Sequence, residues 1–178
     1  MARDHARLLV SIWGDSDFTA LKSSSQLAYF ALISSRDLSW CGVAPYLPRR
    51  LSGIAADFSE RKAREGFAEL EARRFAVVDR STDELLVRSY VRHDGILKQP
   101  NVTKAMVKAI DRVHSAALVG VIYDELARLR ESDSTLNGWR TMGLTYPEHL
   151  AEVDARVTGK GSPKGSGTGK PKGSLKAC

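Results

Sequence analysis

Residues 58–91 read FSERKAREGFAELEARRFAVVDRSTDELLVRSYV, and the spacing of their apolar residues changes once along this stretch. In the first half the apolar residues recur at helical spacing, which predicts a charged amphipathic helix over 60–75 with Ser59 as its N-cap. In the second half, residues 76–79 and 85–91 are apolar and rich in valine, and five polar residues separate them. This half predicts a β-hairpin.

The residues before this stretch supply the other elements of a known arrangement. Ser23 and Gln26 have the spacing of a helix capping box, which predicts an amphipathic helix over 26–35. A short extended segment is expected at 43–47, and a proline then opens a predicted second helix over 49–57. The residues of that helix expected to face inward are Leu51, Ile54 and Ala55. Helix, strand, helix, helix and hairpin is the element order of a winged helix-turn-helix.

The residues after the hairpin predict further helices. We expect a loop over 92–100, a helix from an Asn101 N-cap to about His114, and a helix from Ser115 or Ala116 to Arg130. A loop over 131–143 and a short helix over 146–157 complete the prediction. One face of the 115–130 helix is either a dimer interface or core, with core favoured, and it carries Leu118, Ile122, Leu126 and Leu129. These helices have too few apolar residues for a separate core, so we expect them to pack on the preceding domain.

The sequence therefore predicts a mainly α (α+β) fold. Its predicted parts are a winged helix-turn-helix domain over 1–95, a helical extension over 96–157 and a tail over 158–178. The tail is rich in Gly, Ser, Lys and Pro and is expected to be disordered.

The charge of the chain is unevenly distributed. The formal net charge is +6, but the tail contributes five lysines and no acid, which leaves +1 for residues 1–157. A case for nucleic-acid binding must therefore depend on where the basic residues of the folded part lie, not on the total charge. The tail is either a solubilising end or a loose contact for phosphates.

The predicted third helix carries the best candidates for DNA contact. In a helix-turn-helix, the N-terminal part of this helix enters the major groove, where arginine recognises guanine and lysine or serine binds phosphates. The candidates on this helix are Ser59, Arg61, Lys62 and Arg64. Arg49 and Arg50 are expected to contact the DNA backbone. The alternative is a solvated helix face whose acids pair with its bases at a spacing of four residues.

Two further segments bear on the DNA surface. The hairpin tip at 80–84 has one arginine against two acids, so it is poorly suited to the minor groove and is as readily a plain solvent turn. The segment 88–112 is basic and adds the candidates Lys98, Lys104 and Lys108. Lys104, Lys108 and Arg112 repeat every four residues and would form one cationic stripe on a helix, which either binds phosphate or is simply solvated.

The sequence offers no motif for an enzyme, a metal or a cofactor. The pair His93-Asp94 has no nucleophile motif beside it, and no glycine-rich phosphate loop is present. The four histidines and two cysteines lack the spacing of metal ligands. No apolar run approaches the ~20 residues of a membrane span, and no secretory signal is recognised. We therefore expect a non-enzymatic protein in the cytoplasm, which would be the host cytoplasm for a phage-encoded chain.

Segments 86–94, 98–102 and 115–118 resemble a junction in phage and prophage replication-initiation proteins with a winged-helix N-terminus, related to DnaD-type replisome organisers. The matching features are an aromatic–basic stretch after the last wing strand, a Pro-Asn-Val helix start and a Ser-x-x-Leu helix start. Residues 26–32 and 42–43 fit the same pattern. The resemblance covers about residues 8–130 and implies binding of double-stranded DNA in replication initiation or in transcription regulation. The long C-terminal module of the DnaD-type proteins is absent or shortened, which weakens the expectation of a replication role.

Two functions stay open on the sequence alone. The first is a sequence-specific DNA-binding protein, with a homodimer and with replication or transcription proteins as further expected partners. The second is a protein-interaction adaptor that keeps the winged-helix fold without binding specific DNA, which the nearly neutral body and the acidic hairpin tip favour.

Overall fold

The computed structural model describes residues 6–159, which form a mainly helical α+β structure. Eight α-helices in this range are α1 (Ser16–Thr19), α2 (Ser23–Ile33), α3 (Glu60–Ala72), α4 (Tyr90–His93), α5 (Pro100–Ile110), α6 (Ala116–Ser132), α7 (Asn137–Thr145) and α8 (Pro147–Val157). The three strands are β1 (Val43–Pro45), β2 (Ala76–Asp79) and β3 (Glu84–Val87). Short 3-10 helices occur at Val10–Gly14, Pro48–Leu51 and Ile96–Lys98. The predicted tail lies outside the described residues, apart from its first two.

The three strands form one antiparallel sheet in the order β1–β3–β2. Strand β3 is central and buried, because Leu85, Leu86 and Val87 are each at most 1% exposed. At the outer edge of β1 the backbone N–H of Val43 donates to the Ser39 hydroxyl, and its carbonyl accepts from the Ser39 N–H. The edge therefore offers few free groups to an additional strand.

A single hydrophobic cluster joins the sheet to the helices on both sides of it. Helices α2 and α3 approach closely at Gly66, where an added Cβ would lie 3.2 Å from the Cβ of Ala28. The apolar face of α6 belongs to the same cluster, since Leu118, Ile122 and Leu126 are at most 1% exposed. These leucines and this isoleucine are core residues, as favoured above, and the helical extension packs on the preceding elements as predicted.

Several sequence predictions are confirmed. Helix α3 begins after Ser59, whose hydroxyl accepts from the backbone N–H of Lys62. Helix α6 begins after Ser115, whose hydroxyl accepts from the backbone N–H of Leu118 at 3.1 Å. The β2–β3 hairpin and the last helix, α8, also occur where the sequence indicated them.

The predicted capping box at Ser23 and Gln26 is wrong. The N-cap position of α2 is held by Lys22, and its side chain makes no capping hydrogen bond. The amide of Gln26 donates instead to the carbonyl of Phe18, and the hydroxyl of the neighbouring Ser25 donates to Glu69 of α3. A partner outside the helix has therefore taken the Gln26 side chain that the local pattern assigned to the helix end.

The predicted second helix over 49–57 is also wrong. Only the 3-10 helix Pro48–Leu51 forms, and turns and bends follow it to residue 57. Gly53 has a φ of +89°, which is incompatible with a continuing helix, and its N–H donates to the carbonyl of Phe58. Ile54, expected to face inward, is 41% exposed.

Three further boundaries differ from the prediction. Strand β3 ends at Val87 rather than at residue 91, and the chain turns into α4 so that Tyr90 packs against Gly42. Helix α5 begins at Pro100, with no cap from Asn101. The predicted loop over 131–143 contains most of α7, in which Trp139 and Met142 are buried.

The packing of α7 at Gly138 can be tested by a stability measurement. An added Cβ at Gly138 would lie 2.8 Å from the backbone oxygen and Cα of Leu97, whereas one at Gly120 in α6 would meet nothing within 4 Å. We expect Gly138→Ala to lower the free energy of unfolding by about 1–3 kcal/mol. Gly120→Ala should raise it by about 0.5–1 kcal/mol, because alanine is the better helix former. Urea unfolding measures both, and a Gly138→Ala variant as stable as wild type would contradict this packing.

Candidate nucleic-acid interface

The start of α3 presents its basic side chains to solvent. Arg61 is 75% exposed, Arg64 is 57% exposed and Lys62 is 35% exposed. Ser59 is exposed as well, although its hydroxyl is engaged in capping the helix. All four candidates from the sequence therefore lie at the N-terminal end of one helix, where they are accessible to a large ligand.

Each basic side chain at this helix start has an acidic partner. Arg61 contacts Glu65 at 2.6 Å, Arg64 contacts Glu60 at 2.6 Å, and Lys62 contacts Asp57 at 2.6 Å. The hydrogen bond from Lys62 lowers the pKa of Asp57. The acids cancel the charge of the bases, so this surface is electrically neutral without a ligand. Exposed pairs of this kind contribute at most about 1 kcal/mol each, so exchanging a carboxylate for a phosphate costs little.

Arg49 and Arg50 lie on the 3-10 helix Pro48–Leu51, which packs against α3. Arg50 is paired with Asp37 at 2.5 Å, and its side chain is 63% exposed. Arg49 is exposed and has no ion-pair partner within residues 6–159. The structure therefore brings these two arginines beside the helix that carries Arg61 and Arg64, even though the predicted second helix does not form.

The acids of the β2–β3 hairpin bind the start of α6. The Glu84 carboxylate accepts from the backbone N–H of His114 at 3.1 Å and of Ser115 at 2.8 Å. The Ser115 hydroxyl donates to Asp79 at 2.5 Å. We call the contacts of Asp79 and Glu84 with residues 114–115 the hairpin clasp. The acidic character of the hairpin thus has a structural cause, because these carboxylates cap a helix N-terminus.

The pKa values of the two acids agree with this geometry. Hydrogen bonds from Ser115 and Ser81 lower the pKa of Asp79 to about 2. Burial raises the pKa of Glu84, but the backbone N–H groups of His114 and Ser115 outweigh burial and leave that pKa lowered. The hairpin's own cation, Arg80, is directed back onto α3, where it pairs with Glu71 at 2.7 Å. Asp79, Arg80 and Glu84 of the hairpin are therefore engaged in intramolecular contacts, whereas Asp83 at the tip is exposed.

The basic side chains of segment 88–112 lie in two different environments. Lys104 and Lys108 project from α5 with exposed side chains, and Lys98 is exposed on the preceding 3-10 helix. Among residues 6–159 none of these lysines has an ion-pair partner, nor does Arg112. Lys108 and Arg112 line one wall of a groove of about 710 Å³, and the half-buried Trp40 and strand β1 line the other. Helix α5 ends at Ile110 rather than near His114, so Lys104 and Lys108 lie on the helix while Arg112 follows it, and the predicted helical stripe of three cations forms only in part.

Arg88 and Arg92 belong to a separate cluster that the sequence reasoning missed. Both contact the buried carboxylate of Glu125 on α6, as does Arg128. A signal for it was present in the sequence. Glu125 follows Leu118 by seven residues, which places an acid on the apolar face of a predicted helix.

The described residues thus define a mainly helical α+β protein with several basic surfaces and no candidate metal cluster among residues 6–159. None of the helices in that range has the length and apolar composition needed to cross a bilayer. Comparison of the chain with protein-family models, with curated proteins and with solved structures found no match.

The hairpin clasp predicts how stability depends on pH. The folded-state pKa of Asp79 lies below its ordinary value of 3.8, so the clasp stabilises the fold above about pH 4 and loses that contribution as the pH falls toward 2. Ser115→Ala removes both the bond to Asp79 and the helix cap. We expect it to lower the free energy of unfolding by about 1 kcal/mol at neutral pH and to reduce the acid-dependent loss. Urea unfolding as a function of pH measures both effects.

Ser23→Ala is the matched control, because Ser23 starts a helix but is exposed and makes no hydrogen bond through its side chain within the described range. It should leave the unfolding free energy and its pH dependence unchanged. An Asp79 carboxyl that titrates near 3.8 by NMR in the unsubstituted protein would contradict the clasp.

Proposed function

We propose that this protein binds double-stranded DNA through a winged helix-turn-helix in which α3 is the recognition helix. One observation carries the proposal. The hydrogen-bonded strand order β1–β3–β2, with α3 leading directly into the hairpin, agrees with a winged domain. The short 3-10 helix Pro48–Leu51 would take the place of the usual second helix, with Arg49 and Arg50 contacting the DNA backbone.

The exposed arginines of α3 suit this role. A guanidinium donates two parallel hydrogen bonds to the acceptor edge of guanine or to a phosphate. Arg61 and Arg64 are free to turn from Glu65 and Glu60 toward DNA, since both ion pairs are solvent-exposed. The first turn of α3 also offers backbone N–H groups to a phosphate. The resemblance to phage replication-initiation proteins further supports a role in replication initiation or transcription regulation.

A protein-interaction adaptor is the second candidate, and specific observations favour it. Acids neutralise the basic residues at the start of α3, and the hairpin is engaged with α6 instead of projecting as a free wing. In this alternative, the protein would keep the winged-helix fold, but α3 would not enter a DNA groove. The two candidates differ in whether α3 discriminates between DNA sequences.

Replacing the arginines of α3 tests the DNA-binding proposal. We expect the double variant Arg61→Ala, Arg64→Ala to bind its best duplex about 10- to 100-fold more weakly, because each arginine supplies a bidentate contact. The duplex would be selected from a random pool using a full-length chain whose five tail lysines are glutamines, which removes non-specific attraction. The control Arg36→Ala, Arg140→Ala removes the same charge from two other exposed positions. Equal binding by the α3 variant and the wild type would refute the recognition-helix assignment.

Removing the acids of α3 separates the two candidates. Glu60→Gln, Glu65→Gln leaves Arg64 and Arg61 without their partners, so we expect DNA affinity to rise about three- to tenfold at moderate salt. Asp17→Asn, Glu131→Gln changes the net charge equally at exposed positions elsewhere. Fluorescence anisotropy with the selected duplex measures both variants. An adaptor would show the same small gain for the two pairs.

A further inference from the structure

Three arginines share one buried carboxylate. Glu125 of α6 has no exposed surface, and Nε of Arg88 donates to its Oε1 at 2.8 Å. Nε of Arg92 lies 2.6 Å from Oε2, and Arg128 also donates to Oε1. The side chains of Arg88, Arg92 and Arg128 keep 27%, 36% and 49% of their surface exposed. We call these four residues the arginine cluster.

The arginine cluster carries more positive charge than is needed to join the sheet and α4 to α6. Arg88 and Arg92 connect the end of the sheet and α4 to α6, so they form the joint between these elements. Arg128 lies on the same helix as Glu125, three residues away, so its contact joins no further element. The cluster retains a net charge of +2, and its guanidinium groups repel one another across a partly buried site. An anion would relieve this repulsion.

The cluster also has unused hydrogen-bond donors. Each guanidinium has five N–H groups, whereas one carboxylate offers about four acceptor positions. Glu125 therefore fixes three planar donor groups in place while most of their N–H groups are left over. Planar, fixed donors of this kind match the oxygens of a phosphate group.

A groove of about 350 Å³ leads to these donors between α6 and strand β2. Arg74, Arg88 and Arg128 line it, together with the acids Glu71 and Asp124. Both acids have other partners. Glu71 is paired with Arg80 at 2.7 Å, and Asp124 is paired with Arg156 at 2.7 Å. Ala76, Val77 and Val121 supply the apolar part of the lining. The groove is thus open, positively charged and lined by arginines whose acid neighbours are already neutralised.

We propose that the arginine cluster binds a phosphate group, held by the free donors of Arg88 and Arg128 with Arg74 at the groove wall. This site is separate from the start of α3 and does not depend on the recognition-helix assignment. The phosphate belongs either to a nucleic-acid strand or to a small phosphorylated molecule, since the same donors would recognise both.

The test compares three variants of the full-length chain. Arg128→Gln removes one guanidinium and leaves the joint formed by Arg88 and Arg92 intact. Arg128→Lys keeps the charge but loses the planar fork. Arg140→Gln is the control, since Arg140 is exposed on α7 and has no ion-pair partner among residues 6–159. The thermal midpoint of each variant is measured with pyrophosphate and with chloride at equal ionic strength, so that any intrinsic change of stability cancels.

We expect pyrophosphate to raise the midpoint of the wild type and of Arg140→Gln. The affinity for pyrophosphate should fall about tenfold in Arg128→Gln, with a smaller loss in Arg128→Lys. A midpoint that responds equally in all variants, or in none, would overturn the proposal.

Binding of duplex and single-stranded DNA then identifies the source of the phosphate. If a nucleic-acid strand supplies it, Arg128→Gln will reduce the slope of log affinity against log salt by about 1, as loss of one phosphate contact predicts. If a small phosphorylated molecule supplies it, DNA binding will be unchanged while the pyrophosphate effect is lost. Loss of DNA binding in the α3 variants alone would bear on the proposed function and not on this site.

Discussion

The buried carboxylate of Glu125 is the constraint on which the C-terminal half of the structure depends. A carboxylate without exposed surface must be ion-paired, because removing a charge from water costs several kcal/mol. Arg88, just after β3, and Arg92, on α4, form ion pairs with it, and both therefore fix α6 against the sheet. Helix α8 packs in turn on α6, and α7 packs on α8. Removing both Arg88 and Arg92 would detach the buried carboxylate from the sheet and α4, so these elements hold their positions together.

The hairpin clasp is the second connection between the sheet and α6. It gives the acids of the hairpin a structural role. Acids at a hairpin would repel DNA, yet here Glu84 of the tip and Asp79 of β2 bind the start of α6. The helical extension is consequently part of the same packed unit as the sheet. DNA contact, in the function proposed here, falls to α3 and to Arg49 and Arg50 instead of the hairpin.

The distribution of charge differs among these surfaces. The bases of α3 are all paired with acids, those of α5 are unpaired, and those of the arginine cluster share one acid among three. A paired surface attracts nucleic acid weakly at long range but exchanges its partners at little cost on close contact. In the proposed function, such a surface would favour discrimination between DNA sequences, whereas the unpaired lysines of α5 would add affinity that depends strongly on salt.

The sequence by itself determined the elements whose signals are local. The spacing of apolar residues and the serine caps located α3 and α6, because Ser59 and Ser115 bond to backbone groups three residues away. It also predicted the ion pair of Glu60 with Arg64, which follows from a four-residue spacing, whereas Glu69 is bound by Ser25 of α2 instead of pairing with Arg73. Tertiary structure alone decided the hydrogen-bond partner of Gln26 and the role of the hairpin acids, because their partners lie 8 to 36 residues away. It likewise assembled the arginine cluster, since Arg88 meets Glu125 across 37 residues. No local periodicity encodes a contact of that range.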